Sequence, residues 1–121
     1  MSWIQITTPE SIPLREGRSV CVGEREIAIF NLGDRLAAVD AACPHRGGPL
    51  CDGIVTTNGA ASGTLQGHAV VCPLHGWKID LATGNVLKPD VSVRVETYDV
   101  RVKDGFVEVD IPAYAKRTLA A

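Results

Sequence analysis

Two short runs in this chain carry side chains that do chemistry together: Cys43-Pro-His45-Arg46-Gly47-Gly48 and Cys72-Pro-Leu-His75-Gly76-Trp77. Each offers one thiolate and one imidazole, and each is followed by glycine. In extended chain, residues two apart point the same way and sit roughly 6–7 Å apart, from a rise of about 3.3 Å per residue. Cys43 and His45 would therefore serve two neighbouring metals more comfortably than one tetrahedral ion. Zinc sites space paired ligands more widely, as C-x₂₋₄-C and H-x₃₋₅-H, and the Cys-x-His run fits that pattern poorly. A mononuclear Cys₂His₂ zinc knuckle is the alternative, and the second run alone would allow it. Core packing gives no reason to repeat Cys-Pro-x-x-Gly twice.

The ligand set Cys43, His45, Cys72 and His75 resembles that of the Rieske family. In that family two cysteines hold one iron of a [2Fe–2S] cluster and two histidines hold the other. The resemblance implies one Rieske-type [2Fe–2S] cluster and a protein that moves one electron at a time. Glycine beside such ligands lets backbone N–H groups approach sulfur where a Cβ would obstruct. Gly47, Gly48 and Gly76 are the candidates, Pro44 and Pro73 stiffen the loops, and Trp77 is placed to shield the cluster from water while packing on the core.

At 121 residues the chain suits one domain. We expect residues 1–111 to form it, with the cluster-binding part at about 40–86 and a loosely held C-terminal tail at 112–121 that carries Lys116 and Arg117. A formal charge of −2 gives no basic footprint for nucleic acid. No run of about 18 apolar residues exists to span a membrane. The opening Met-Ser-Trp-Ile-Gln-Ile lacks a signal-peptide layout, so the expected location is cytoplasmic. Of four cysteines, Cys21 and Cys51 remain beyond the ligand runs. Cys21, in Ser-Val-Cys-Val-Gly, reads as a small buried hydrophobe; Cys51 reads as a structural thiol. Respiratory Rieske proteins carry a disulfide between their two loops, and its cysteines fall where this chain has Gly48 and Leu74. That bridge is absent, and both spare thiols are expected to be free.

The rest reads as strands and turns. Trp3–Thr7 and Glu26–Phe30 alternate apolar with polar, and Leu36–Val39 follows the Gly33-Asp34 turn, making a hairpin that feeds the first ligand loop. Ala69–Val71 enters the second loop and Trp77–Leu81 leaves it; Thr83-Gly84-Asn85 is a turn and Val91–Val95 a further strand. Thr97–Lys103 and Phe106–Ile111 flank Asp104-Gly105, the strongest hairpin signal in the chain. No segment sustains a helical period. The expected class is all-β: a Rieske-type arrangement of antiparallel sheets, a sandwich whose cluster-binding subdomain has two protruding loops. Asn58–Gly67, small and glycine-rich, reads as a tolerated surface insertion in a mobile hairpin connection. His68 reads as an exposed or hydrogen-bonded structural residue.

Three further pieces narrow the resemblance: Cys-Pro-His-Arg-Gly-Gly-Pro-Leu (43–50), Cys-Pro-Leu-His-Gly-Trp-Lys-Ile-Asp-Leu-Ala-Thr-Gly (72–84) and Tyr98-x-Val-x-Val-x-x-Gly-x-Val-x-Val109. Together they look like the small subunits of assimilatory NAD(P)H-dependent nitrite reductases, from Trp3 to about Ile111. This implies an electron-transfer subunit, not a complete enzyme alone, working beside a large flavin and sirohaem subunit that reduces nitrite to ammonia. The alternatives are a Rieske ferredoxin serving an aromatic-ring dioxygenase and, from another class, a zinc-stabilised binding module. High-potential Rieske proteins place a serine and a tyrosine hydroxyl near sulfur in a His-Gly-Ser-x-Tyr run; here those positions are Trp77 and Ile79. A potential in the lower half of the family's range, roughly −150 to +300 mV, is therefore expected.

Overall fold

The computed structural model describes residues 3–22, 25–33, 35–43, 48–57, 68–74, 76–89 and 91–111. Among these, eleven strands form three antiparallel sheets. The first sheet holds β1 (Trp3–Thr7), β11 (Phe106–Asp110) and β10 (Val100–Lys103) in that order. The central sheet runs β2 (Gly17–Val22), β3 (Arg25–Asn31), β4 (Leu36–Asp40), β9 (Thr97–Tyr98). The third runs β5 (Ile54–Thr57), β6 (His68–Val71), β7 (Lys78–Asp80), β8 (Val86–Lys88). Among the described residues, helix is limited to single 3₁₀ turns at Pro9–Ser11 and Leu50–Asp52, as the lack of a helical period predicts.

The β3–β4 hairpin is buried on both faces, where alternation in Glu26–Phe30 suggests one. Side chains alternate sides along a strand. Ile27 and Ile29 of β3 join Ala38, Tyr98, Val107 and Val109 in a core against the first sheet. Ala28 and Phe30 turn the other way and join Ala37, Val39, Leu50, Val55, Val70 and Ile79 in a second core against the third sheet. The central sheet is thus a middle layer, which explains why Ile27-Ala28-Ile29-Phe30 is uninterruptedly apolar.

Two strand expectations change. Thr97–Lys103 breaks at Asp99: β9 pairs with β4 and β10 with β11, so the chain crosses from one sheet to another there. Val91–Val95 is not a strand. It runs past β8 with an isolated bridge at Asn85↔Arg94, and Val91 and Val93 face solvent because no layer covers them. Only Val95, at its end, is buried and joins the core; the strand is Val86–Lys88. The Asp104-Gly105 hairpin forms as expected, with φ of 55° and 83°, the left-handed pair that a two-residue turn needs. Asn58–Gly67 and the tail lie outside the described residues.

Candidate metal centre

The loop from Cys43 leaves the end of β4, where backbone pairs close its base. Ala42 bridges Pro49, the Leu50 N–H donates to the Ala41 carbonyl at 2.8 Å, and the Cys43 N–H donates to the Gly48 carbonyl at 2.8 Å. The second loop has the same construction. Val71 pairs with Lys78, and the Cys72 N–H donates to the Trp77 carbonyl at 2.7 Å. The Gly76 N–H then donates to the Cys72 carbonyl at 3.0 Å. Each cysteine is therefore the first residue inside a hairpin loop, held by its own N–H at the point where the strand pair ends.

Both thiols are buried: Cys43 is 4% exposed and Cys72 3%. They belong to the core between the central and third sheets, and Trp77 packs on it half-buried. The loops meet at Gly48. A Cβ there would lie 2.8 Å from Cys72 Sγ and 3.0 Å from Leu74 Cδ1, closer than side chains approach, so only glycine leaves this cradle open. Gly76 serves differently: its φ is +74° and a Cβ would meet nothing within 4 Å, so it is there for its backbone conformation. Pro44, His45, Arg46, Gly47 and His75 lie outside the described residues.

Among the described residues no disulfide forms. Gly48 and Leu74 nonetheless face each other: a Cβ on Gly48 would be 3.1 Å from Leu74 Cγ. Cys21 is exposed on β2, against the expectation of a buried hydrophobe. β2 is an edge strand, and its alternation turns Cys21 outward opposite Glu26. Cys51 is half-buried; burial, then the charges of Asp52 and Glu26, push its thiol pKa up. His68 opens β6 and is half-buried, but its Nδ1 is enclosed without a hydrogen-bond partner among the described residues.

Sequence reasoning missed the polar groups that brace the loops. Tyr98 Oη donates to Asp40 Oδ1 at 2.6 Å, and Arg25 Nη1 donates to the same phenol at 2.7 Å. Asp40 also accepts from the Glu96 N–H at 3.2 Å and ends the strand that leads to Cys43. Burial, reinforced by the hydrogen bond to Asp40 and its charge, pushes the Tyr98 pKa well above the ordinary phenol value. Asp80, 5% exposed, accepts from the Ala82 N–H at 2.9 Å and the Thr83 hydroxyl at 3.2 Å, tying the β7–β8 turn. The Arg25–Tyr98–Asp40 group joins residues 58 and 73 positions apart, beyond any local pattern; the Asp-x-x-Thr-Gly turn was open to reading.

Two buried cysteine side chains at the bases of apposed loops, beside a glycine that keeps the space at sulfur clear, fit a sulfur-ligated cluster. The Rieske-like [2Fe-2S] domain model matches residues 2–110, and the chain belongs to that family. It is a Rieske electron-transfer domain with one Rieske-type [2Fe–2S] cluster as its cofactor. It is 28% identical over 109 residues to the ferredoxin component of a naphthalene 1,2-dioxygenase system from Pseudomonas aeruginosa, covering 90% of this chain and 95% of that one. It is 34% identical over 89 residues to the anthranilate 1,2-dioxygenase ferredoxin subunit of Burkholderia cepacia, covering 74% and 73%. Among solved structures it resembles a Mycobacterium tuberculosis protein assigned as an NADH-dependent nitrite reductase small subunit. That match has a TM-score of 0.78 and 26% identity, over 93% of this chain and 96% of that one. Among the described residues no helix is long and apolar enough to cross a membrane.

Proposed function

We propose that this chain is the electron-transfer subunit of an assimilatory NAD(P)H-dependent nitrite reductase, with Cys43 and Cys72 holding one iron of the cluster and His45 and His75 the other. The observation that carries the reading is the end-to-end likeness to the nitrite reductase small subunit from M. tuberculosis. The cluster supplies the capacity to take and give one electron at a time. This chain's residues supply the rest. The core around Cys43 and Cys72 excludes water from the thiolate side, Gly48 leaves room at Cys72 Sγ, Gly76 sets the second loop's backbone, and Trp77 covers the core beside it. Gly47 would allow a backbone approach in the first loop. Residues 1–111 form the working domain with 112–121 as a tail, and the site of action is cytoplasmic. Lacking a nucleotide fingerprint, the chain relies on a large flavin and sirohaem subunit, whose cofactors carry the nitrite chemistry.

A second reading, the ferredoxin of an aromatic-ring dioxygenase, is favoured by the 34% identity to the anthranilate dioxygenase ferredoxin subunit. One experiment separates the two. The tagged chain is purified from nitrate-grown native cells, and the preparation is assayed for NAD(P)H-dependent formation of ammonia from nitrite. Co-purification of a sirohaem protein, with activity that falls when this chain is removed and returns when it is restored, supports the nitrite reductase reading. A terminal oxygenase travelling with the chain instead overturns it.

A further inference from the structure

The outer face of the third sheet carries a cross-strand row that neither the cluster nor the core explains. Ile54 pairs with Val71 and Val71 with Lys78, so these three side chains share one face, and Lys88 aligns with Lys78 across a bulge in the β7–β8 pair. Ile54 is 69% exposed, Lys88 is exposed, and Val71 and Lys78 are half-buried. Two like charges brought side by side on neighbouring strands weaken a sheet, and neither lysine makes an ion pair with a described residue. Asp80, on the same face of β7, is committed to its own turn. The chain as a whole is acidic, with 14 Asp and Glu against 12 Lys and Arg, so this row is a local reversal of sign. It also lies at the second ligand loop: Val71 immediately precedes Cys72, and Lys78 immediately follows Trp77.

We propose that this row is the docking face for an acidic redox protein, whose carboxylates meet Lys78 and Lys88 while an aliphatic side chain covers Ile54 and Val71. Carboxylates there relieve the lysine–lysine repulsion, and the loop carrying Cys72 ends up at the rim of the contact. Opposed charge at a rim sets encounter rate and salt dependence more than final affinity. The inference names the contact surface for the partner of the proposed function and rests on that reading for the partner's identity.

The test uses the full-length, cluster-loaded chain and the purified sirohaem-containing subunit of the nitrite reductase. Binding is measured at low and at physiological salt. The double variant K78E/K88E is expected to weaken binding about tenfold at low salt, the low end of electrostatic steering effects, and to flatten the salt dependence. K78R/K88R is expected to retain both, and K103E, on the exposed end of β10, to change neither. Equal binding by wild type and K78E/K88E, or an equal loss in K103E, overturns the docking face. If the wild type does not bind the sirohaem subunit, the proposed function falls, and the face is then judged without a partner. Stopped-flow reduction compares an anionic reductant, dithionite, with a cationic one, reduced methyl viologen. A fall in the dithionite-to-viologen rate ratio in K78E/K88E but not K103E supports the docking face; an unchanged ratio overturns it.

Discussion

Gly48→Ala tests whether the space beside Cys72 is reserved for a bound cluster. The added methyl would sit 2.8 Å from Cys72 Sγ, 3.0 Å from Leu74 Cδ1 and 3.1 Å from Leu74 Cγ. Ordinary contact begins at 3.4 Å, so the sulfur contact must open by 3.4 − 2.8 = 0.6 Å. Leu74, 54% exposed, can swing into solvent. Cys72 cannot move so easily, because its N–H and carbonyl are both bonded within the loop and its side chain is packed in the core. An unligated thiol has rotamer freedom to relieve the clash, whereas a metal-bound sulfur is held to within about 0.2 Å.

The penalty therefore falls on the loaded protein. Overpacking typically costs about 1–3 kcal/mol, which at about 1.4 kcal/mol per tenfold is roughly a fivefold to 150-fold loss in cluster retention. The assay is the decay of visible absorbance under a chelator, beside thermal unfolding of the loaded and cluster-free proteins. Gly48→Ala should lose cluster faster while its cluster-free form unfolds near the wild-type temperature. Gly53→Ala is the contrast. Its Cβ would meet the Val71 carbonyl at 2.5 Å and Val70 Cγ2 at 2.6 Å, strand and core atoms that exist with or without metal, so both forms should be destabilised alike. A Gly48→Ala protein with wild-type cluster retention would refute the reasoning.

Other outcomes follow from the same contacts. Tyr98 has a folded pKa above its unfolded value of about 10, so the stabilisation it brings is complete below that pH and is lost as pH rises through the folded value. Urea unfolding should show flat stability through neutrality and a decline above about pH 10. Tyr98→Phe should lower neutral stability by about 1–2 kcal/mol through the lost bond to Asp40 and reduce the alkaline decline. Under limiting iodoacetamide, mass spectrometry should find Cys21 alkylated before Cys51, since Cys21 is exposed and the Cys51 thiol pKa is raised; the reverse order would contradict the placement of β2. Voltammetry should give a potential in the lower half of the roughly −150 to +300 mV Rieske range. Trp77→Ser should raise it by on the order of 60–130 mV if the hydroxyl reaches sulfur, from about 1.5–3 kcal/mol for a bond to a charged group; a wild-type value at the upper end would refute the argument.

What was legible in the sequence was what local chemistry decides. The paired Cys/His runs pointed to the Rieske family and its [2Fe–2S] cluster before any fold was known, and Asp104-Gly105 announced its hairpin, because both signals rest on residues a few positions apart. What escaped depends on layers. Whether Ile27-Ala28-Ile29-Phe30 covers one core or two is decided by a third sheet whose strands lie dozens of residues downstream. Cys21 and the Val91–Val93 part of Val91–Val95 were misjudged for the converse reason: each is an apolar-looking stretch whose side chains face solvent. The Arg25–Tyr98–Asp40 group has no local signature, since each member is ordinary in its own strand.

These two kinds of information meet at the loops. Each cysteine loop is closed at its base by backbone bonds, and the stiffness behind that base sets where the sulfur sits. The middle sheet supplies that stiffness. Its hairpin is clamped on both faces, Asp40 at its end is bound to Tyr98 and to the Glu96 N–H, and the Cys43 loop begins three residues later. The Cys72 loop is anchored separately, by Val70 and Ile79 packed into the same core as Cys43. The two cysteines are thus held by different sheets, and the distance between them is set by how those sheets pack. Shrinking a shared core residue such as Leu50, which is fully buried, should therefore disturb the cluster as well as the fold, whereas shrinking Val107, in the other core, should lower stability and leave the cluster spectrum unchanged.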